Sequence, residues 1–365
     1  MQSDVILVIV VGTALAFDVT NGFHDTANVV ATSISTRAMP PRLAVTYAAA
    51  LNFAGAFISL AVAATIAQDV VSAGAITPTV VFAGLIGAIS WNLVTWYFGL
   101  PSSSSHALIG GVVGAAFAAA GADAVFGEGV LGKVLIPAIV APLVAFLVGG
   151  IAIVVCYRIV GSERPGPVAR GYRLGQVVSG GLLALAHGTN DAQKTMGVIT
   201  LALIANGNLA ADSDPPTWVI VSAASAIALG TYSGGWRIIR TMGTRIIRMD
   251  PAQGFSASGA GAAVILASSH FGFPLSTTQV ISGGVMGAGA GKRLSAVRWG
   301  VAGDIVTAWL LTLPASAAIG ALVYGVTRIF GTGALGPAIV TTIGLVLLTI
   351  AFARRIRRGA PLPAR

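Results

Sequence analysis

Two short polar segments interrupt apolar stretches of this 365-residue sequence. Residues 21–28 have the letters NGFHDTAN, and residues 187–194 have the letters HGTNDAQK. Glycine and aspartate stand at the same places in both segments, so Asp25 corresponds to Asp191. A carboxylate among apolar residues is costly to bury unless it is protonated or paired. The two segments therefore predict proton or cation chemistry at these aspartates, with a helix-packing role as the simpler alternative.

A second pair of matching segments lies further along each half of the chain. GLPSSSSH begins at Gly99 and GFPLSTTQ begins at Gly272, and a Gly-Gly pair follows each segment. Proline followed by hydroxyl residues is typical of helix starts, where side chains cap free backbone N–H groups. Such N–H groups, with hydroxyls and the positive end of the helix dipole, can bind an oxyanion without arginine. Simple capping or interhelical hydrogen bonding is the alternative.

The composition indicates that these segments lie in a membrane. Charged residues make up 9% and apolar residues 55% of the chain, against roughly 25% charged residues in a soluble domain. Apolar runs at 43–67, 79–98, 131–155 and 337–352 are each near the ~20 residues that span a bilayer. The sequence therefore predicts an all-α integral membrane protein in contact with the lipid bilayer. The single cysteine, Cys156, excludes an internal disulfide framework.

The placement of charge predicts the orientation in the membrane. The net charge of +9 is concentrated in short segments between apolar runs, which argues against nucleic-acid binding and, by the positive-inside rule, places those segments in the cytoplasm. Segments 68–78, 121–130 and 206–216 contain acidic residues and no Lys or Arg, so they are predicted to lie outside. The N-terminus is then expected outside and the basic C-terminal tail in the cytoplasm.

Loops at corresponding positions of the two halves carry opposite charge, as Arg37 and Arg42 do against Asp212 and Asp214. Three such inversions predict two inverted-topology repeats, each with a broken helix at its polar segment. Residues 1–160 are predicted to form the first repeat, 161–173 a cytoplasmic linker, 174–353 the second repeat and 354–365 a basic cytoplasmic tail.

Each repeat is also expected to contain a helical hairpin that turns at Pro101 or Pro274. The arm 105–121 would be about 25 Å long, which is short for a core of ~30 Å. The hairpins are therefore predicted to be re-entrant, with their tips facing each other near the middle of the membrane.

These segments, together with Trp91-Asn92, resemble the signature repeats of the inorganic phosphate transporter family of secondary carriers, and the likeness covers the core of both halves. His24, Thr26 and Met39-Pro40 are similar to the bacterial low-affinity branch. That resemblance implies proton-coupled uptake of inorganic phosphate, often as a metal–phosphate complex, through the inner (plasma) membrane. It also implies a homodimer. Other family members use sodium and some relatives carry sulfate, so both remain alternatives; no cofactor is predicted.

The resemblance and the residue types together predict two groups of site residues. The substrate-binding group supplies hydroxyl and amide groups: Ser103, Ser104, Ser105, Ser276, Thr277, Thr278, Gln279, Asn28 and Gln193. The cation-coupling group supplies the carboxylates and their neighbours: Asp25, Asp191, Asn21, Asn190 and His24. Cations are needed because phosphate entering against an inside-negative potential climbs ~2.3 kcal/mol per charge per 100 mV.

Several roles and two other functions stay open. Asp18 and Asp304 are each either proton-binding or structural, and Lys194 pairs either with a carboxylate or with phosphate. A membrane-embedded metal-dependent hydrolase could use His and Asp pairs, but the chain has no recognisable zinc motif and no sizeable soluble domain. The chain is therefore predicted not to be an enzyme. A passive channel is the remaining alternative, and it would allow only dissipative flow.

Overall fold

The computed structural model describes residues 2–68, 76–125, 127–331 and 333–357, and its elements are helices. In chain order they are α1 (Gln2–Ser35), α2 (Pro41–Gly55), α3 (Ala61–Gln68), α4 (Pro78–Phe98), α5 (Ser104–Ala120), α6 (Gly127–Gly129), α7 (Ile136–Val160), α8 (Pro165–Ala205), α9 (Thr217–Ser233), α10 (Trp236–Arg240), α11 (Pro251–His270), α12 (Thr277–Lys292), α13 (Trp299–Ile329) and α14 (Leu335–Arg357). A π-helical stretch, Val130–Leu135, joins α6 to α7, and another, Thr241–Arg245, extends α10.

Four helical segments among the described residues are long and apolar enough to cross a membrane: Asp4–Ser35, Pro78–Phe98, Gly127–Val160 and Trp299–Ile329. A fifth results if α9 and Trp236–Arg245, which are bent by 60° relative to each other, form one span. These segments confirm the predicted all-α class with apolar helices. The apolar run 43–67 is not one helix, because α2 ends at Gly55 and α3 begins at Ala61.

The helix breaks predicted at the two polar segments are wrong. Residues 21–28 lie within α1 and residues 187–194 within α8, and both helices are continuous there. The glycines of these segments allow close helix packing instead. A Cβ on Gly22 would lie 2.4 Å from the carbonyl oxygen of Ile227 in α9, and one on Gly188 would lie 2.1 Å from that of Asn52 in α2. The breaks occur between α2 and α3 and between α9 and α10.

The predicted linker 161–173 is also mostly helical, since α8 begins at Pro165. Most of the segment 161–173 therefore forms the first turns of α8, the long helix that carries the second polar segment. Proline at the start of α8 suits this boundary, because the first helical position needs no backbone N–H donor.

Helices of one half pack against helices of the other, and each such pair has a counterpart in which the two halves swap roles. α1 packs on α9 as α8 packs on α2, and α7 packs on α12 as α13 packs on α5. The last two pairs cross at glycines, with Gly149 against Gly284 and Gly320 against Gly111. Each half therefore completes the packing of the other.

The long helices α1 and α8 run in opposite directions through two apolar cores. The N-terminal part of α1 and the C-terminal part of α8 share one core, which includes Phe17 and Met196. The C-terminal part of α1 and the middle of α8 share the other core, which includes Val30 and Leu183. The polar segments lie between the two cores, where the hairpins α4–α5 and α11–α12 reach them.

Candidate functional site

The tips of the two hairpins contact each other. Ser103 caps α5 by accepting a hydrogen bond from the His106 N–H at 3.0 Å, and Ser276 caps α12 by accepting one from the Gln279 N–H at 3.3 Å. The Ser105 hydroxyl crosses between the hairpins and donates to the carbonyl oxygen of Leu275 at 2.9 Å. The N-termini of α5 and α12 are thereby brought to one place, where their partial positive charges add.

Helix α1 contributes Asp25 and His24 to this place. The Asp25 Oδ1 lies 2.8 Å from His24 Nδ1 and accepts a hydrogen bond from the Thr278 hydroxyl at 3.2 Å. His24 Nε2 lies 3.0 Å from the Thr95 hydroxyl, and its Nδ1 lies 3.4 Å from the hydroxyl of Ser104. Asp25 therefore contacts the opposite hairpin directly and its own hairpin through His24.

Asn28 lies one helical turn further along α1 and also contacts the second hairpin. Its Nδ2 donates to the hydroxyls of Thr278 at 2.9 Å and Thr277 at 3.3 Å. The predicted substrate-binding residues Asn28, Thr277 and Thr278 are thus brought together by the structure.

Helix α8 contributes Asp191, His187 and Lys194. The Lys194 Nζ lies 2.5 Å from Asp191 Oδ1, and His187 Nε2 lies 3.1 Å from Asp191 Oδ2. The same ammonium donates to the Ser105 hydroxyl at 2.5 Å and to the carbonyl oxygen of Leu275 at 2.8 Å. The Thr277 hydroxyl donates to Asp191 Oδ2 at 3.3 Å. Lys194 therefore pairs with a carboxylate and holds α8 against both hairpin tips.

Three of these side chains could share one cation. Ligand atoms of Asp25, His187 and Asp191 all lie within 4.8 Å of one another, and all three residues are buried. His187 is absent from the predicted site, although its position four residues before Asp191 places it on the same face of a helix. Carboxylate oxygens with one imidazole nitrogen can take several cations, so the donor set alone does not select one.

Some predicted site residues lie apart from this cluster. The Gln193 side-chain oxygen accepts hydrogen bonds from the N–H groups of Val62 and Ala63, so this residue supports the start of α3. Asn190 donates to the Ser269 hydroxyl at 2.9 Å and to the Phe273 carbonyl at 3.2 Å, beside the second hairpin turn.

Among the described residues, the side chains of Gln279 and Asn21 also form no hydrogen bond with the cluster. Gln279 lines a cavity of about 1180 Å³ between α7 and α13. Asn21 is buried, and neither polar atom of its side chain has a hydrogen-bond partner among the described residues.

Groups that can bind an oxyanion lie beside groups that can bind a cation in this cluster. An ammonium, several hydroxyls and two helix N-termini can hold an anion, while two carboxylates and an imidazole can hold a proton or cation. The cluster residues are buried, so the site is closed to solvent on every side. Either ligand would have to enter by a change in helix packing.

Comparisons with known proteins point the same way. Residues 21–170 and 162–320 each match the model of the phosphate transporter family. A Mycobacterium tuberculosis protein is 55% identical over 327 residues, which are 89% of this chain and 78% of that protein. A Bacillus subtilis protein is 44% identical over 322 residues, or 88% of this chain and 96% of that protein. Both are named "Probable low-affinity inorganic phosphate transporter".

A solved structure described as "The sodium-dependent phosphate transporter" has the same fold, with a TM-score of 0.80 over 89% of this chain and 99% of that chain at 24% identity. The relatives are named as transporters, in agreement with the prediction that this chain is not an enzyme. Two matches of the family model, one to each half, together with apolar helices, describe a multi-pass membrane protein. The chain belongs to the phosphate transporter family.

Proposed function

We propose that this protein is a secondary active symporter that imports inorganic phosphate together with protons. One observation carries the proposal: the hydroxyl-bearing tips of two hairpins, one from each half, meet beside Asp25 and Asp191 in a buried cluster. The names of the relatives support phosphate as the substrate.

Phosphate would bind where the N-termini of α5 and α12 converge. Ser104, Ser105, Thr277 and Thr278 would supply hydroxyl hydrogen bonds, and the Lys194 ammonium would supply a charge-assisted one. In the closed cluster Lys194 is paired with Asp191 at 2.5 Å. Bound phosphate and Asp191 would therefore compete for the same ammonium, and a second positive charge at Asp191 relieves that competition.

Cation coupling follows from the charge of the cluster. With both carboxylates ionised, the lysine protonated and the histidines neutral, Asp25, Asp191 and Lys194 would together carry one net negative charge. An incoming phosphate adds further negative charge in a site without solvent, which is strongly unfavourable. A proton or cation bound by Asp25, Asp191 and His187 would offset it, and this requirement links the two fluxes.

Sodium coupling is the alternative that a specific observation favours. The carboxylate and imidazole atoms within 4.8 Å of one another could hold Na⁺ as well as a proton, and the structural neighbour is described as sodium-dependent. Transport of a metal–phosphate complex and transport of sulfate are the other variants of the same proposal.

The membrane arrangement is part of the proposal. Opposite directions of α1 and α8, and packing pairs that repeat with the halves exchanged, support two inverted-topology repeats over 1–160 and 174–353. The short apolar helix Ser104–Ala120 supports re-entrant hairpins. We place the N-terminus outside and the C-terminal tail in the cytoplasm of an inner (plasma) membrane protein that forms a homodimer.

Reconstitution in liposomes tests this function. The purified full chain should accumulate labelled phosphate when an inward proton gradient is imposed, and sulfate should compete poorly. Parallel liposomes with a sodium gradient, and with Mg²⁺ added or omitted, separate the coupling cation and the metal complex. Asp25→Asn should abolish accumulation, and Asp123→Asn, a change in an exposed segment, should preserve it. Uptake that never exceeds equilibration under any gradient would identify a channel instead.

A further inference from the structure

Asp18 is a buried acid that the site described above does not use. It lies on α1, two helical turns before Asp25 and about 10 Å from it along the helix axis. Its side chain is 0% exposed, and among the described residues neither carboxylate oxygen has a hydrogen-bond partner.

Two neighbouring side chains share this property. The Asn21 amide and the Thr195 hydroxyl are placed to hydrogen-bond the Asp18 carboxylate, but their contacts with it do not have regular hydrogen-bond geometry. Within the described part of the chain, both polar atoms of Asn21 and the Thr195 hydroxyl also lack hydrogen-bond partners. These buried polar atoms of α1 and α8 therefore face one another without regular hydrogen bonds, and buried groups of this kind call for an explanation such as a proton, an ion or a water molecule.

The charged groups that act on Asp18 are Asp191 and Lys194, both on α8 and of opposite sign. Lys194 already pairs with Asp191 at 2.5 Å, and Asp25 has His24 at 2.8 Å. In the described residues no Lys, Arg or His forms an ion pair with Asp18. Asp18 is thus the buried acid without a basic partner, and an ionised carboxylate in that position would be very costly.

The fold itself does not need a carboxyl group here. With Asp25 aligned to Asp191, the position that corresponds to Asp18 in the second half is Ala184, which is fully buried in the apolar core. A small apolar residue therefore satisfies the same packing environment in α8.

We infer that Asp18, with Asn21 and Thr195, forms a proton-binding site separate from the Asp25–Asp191 cluster, and that the proton bound there is coupled to phosphate entry together with the proton or cation held by that cluster. This inference rests on the proposed function. An O–H bond forms on one Asp18 carboxylate oxygen, with the proton taken from water on the loading side, and breaks when the proton leaves on the other side. The neutral acid has one donor for the Asn21 oxygen and acceptors for the Asn21 amide and Thr195 hydroxyl.

The linkage to phosphate is electrostatic. An ionised Asp18 attracts Lys194 and repels an anion at the hairpin tips, whereas a neutral Asp18 does neither. Protonation of Asp18 and phosphate binding therefore favour each other, and linkage makes that preference reciprocal.

Two assays on the full chain in liposomes test the site. The first measures accumulation of labelled phosphate driven by a gradient of one pH unit, which can support about tenfold accumulation per coupled proton. The second measures exchange of labelled for unlabelled phosphate at equal pH and equal concentration on both sides. Asp18→Asn should lose accumulation and keep exchange within about twofold, whereas the matched control Asp304→Asn, exposed on α13, should keep both.

A second variant covers the case in which Asp18→Asn does not fold. Asp18→Glu keeps a carboxyl group in altered surroundings, so the midpoint of the pH dependence of uptake should shift from that of the wild type. An unshifted midpoint overturns the inference, as do normal accumulation by folded Asp18→Asn and loss of exchange along with accumulation.

The wild type separates failure of this site from failure of the proposed function. Wild-type exchange without pH-driven accumulation removes proton coupling, and with it this inference. Wild-type protein without any phosphate exchange removes phosphate transport itself. If the wild type shows both activities, the Asp18 variants alone decide the inference.

Discussion

Among single residues, Lys194 has the largest electrostatic role in the cluster because it brings a buried positive charge next to Asp191. Its ammonium is buried and bonded to Asp191, Ser105 and the carbonyl oxygen of Leu275. The corresponding residue of the first half is Asn28, which reaches the hydroxyls of Thr277 and Thr278. Equivalent positions of α1 and α8 therefore both join a long helix to the second hairpin tip, but only the α8 position brings a charge.

Removal of that charge should destabilise the protein. Lys194→Met leaves Asp191 without its closest cation, and breaking a buried ion pair costs about 3–5 kcal/mol in free energy of unfolding. The double variant Asp191→Asn with Lys194→Met removes both charges, so it should recover most of that loss. Unfolding of the purified protein in detergent measures both.

Transport supplies the control for this pair. The double variant should be stable but inactive in phosphate uptake, because both the anion-binding charge and the coupling acid are absent. Equal stability of the single and double variants would contradict the assigned ion pair.

Close helix crossings position the cluster at the scale of secondary structure. α1 meets α9 at Gly22, and α8 meets α2 at Gly188, with main-chain atoms of the neighbours directly against the glycines. These crossings fix the rotation of each long helix, which decides whether Asp25 and Asp191 face the hairpin tips. The glycines thus act on the site through packing.

Gly22→Ala should therefore weaken both the fold and the site. The added Cβ would stand 2.4 Å from the Ile227 carbonyl oxygen, and overpacking of this kind typically costs about 1–3 kcal/mol. Gly12→Ala is the matched control on the same helix, where the added Cβ meets nothing within 4 Å. Thermal unfolding and phosphate uptake should change in the first variant and stay near wild type in the second. Equal effects of both changes would refute the crossing as the cause.

The start of α11 is stabilised by a capping box that includes a titratable group. The Asp250 carboxylate accepts hydrogen bonds from the Gln253 N–H at 2.9 Å and from Tyr157 at 2.5 Å, and lies 3.0 Å from Lys292 Nζ. Burial alone would raise the pKa of Asp250, but these hydrogen bonds and Lys292 lower it below its ordinary value. The carboxylate form therefore stabilises the folded state.

This lowered pKa predicts an acid-dependent loss of stability. The contribution of Asp250 is present above its unfolded pKa of about 3.9 and is lost as the pH falls through the lower folded value. Asp250→Asn retains a capping oxygen but has no charge, so its melting temperature should fall less than that of the wild type below about pH 4. Asp212→Asn, in an exposed loop, should follow the wild type. If the melting temperatures of the wild type and Asp250→Asn fell equally with decreasing pH, the stabilising role of the Asp250 carboxylate would be contradicted.

In the whole molecule, helices of each half pack against helices of the other half. α7 of the first half packs on α12 of the second, and α13 of the second packs on α5 of the first. Neither hairpin arm is covered by its own half alone. Movement of one half relative to the other would therefore also move the hairpin tips.

Cysteine labelling tests the proposed orientation of the whole chain. In a Cys156→Ser background, Asp123→Cys and Asp212→Cys should react with a membrane-impermeant thiol reagent added outside intact cells. Arg245→Cys should react only after the membrane is opened, because basic loops are retained inside. The reverse pattern would invert the proposed topology.

Local chemistry allowed much of this to be predicted. Polarity and the positions of proline, glycine and hydroxyl residues are properties of short stretches, so the apolar helices, both hairpin turns and the paired aspartates followed from the sequence. The same local view misjudged Gly22 and Gly188, because a glycine that breaks a helix and one that admits a neighbouring backbone look alike in one dimension. The hydrogen-bond partners of Gln193 and Asn190 come from elements distant in sequence, so the sequence did not show them.

The sequence alone determined the membrane class, the two matching halves, the meeting of helix N-termini with carboxylates, and the family. Only the tertiary structure decided that the polar segments stay helical, that Lys194 binds Asp191 and Ser105, and that His187 joins Asp25 and Asp191. It also decided that no Lys, Arg or His among the described residues pairs with Asp18. Apart from the pairs of Asp191 with Lys194 and His187, which lie within about one turn of α8, the contacts among these join residues about 90 to 170 positions apart, and they depend on how helices cross. The angle and position at which two helices cross depend on how side chains fit along both helices. A short sequence motif does not contain that information.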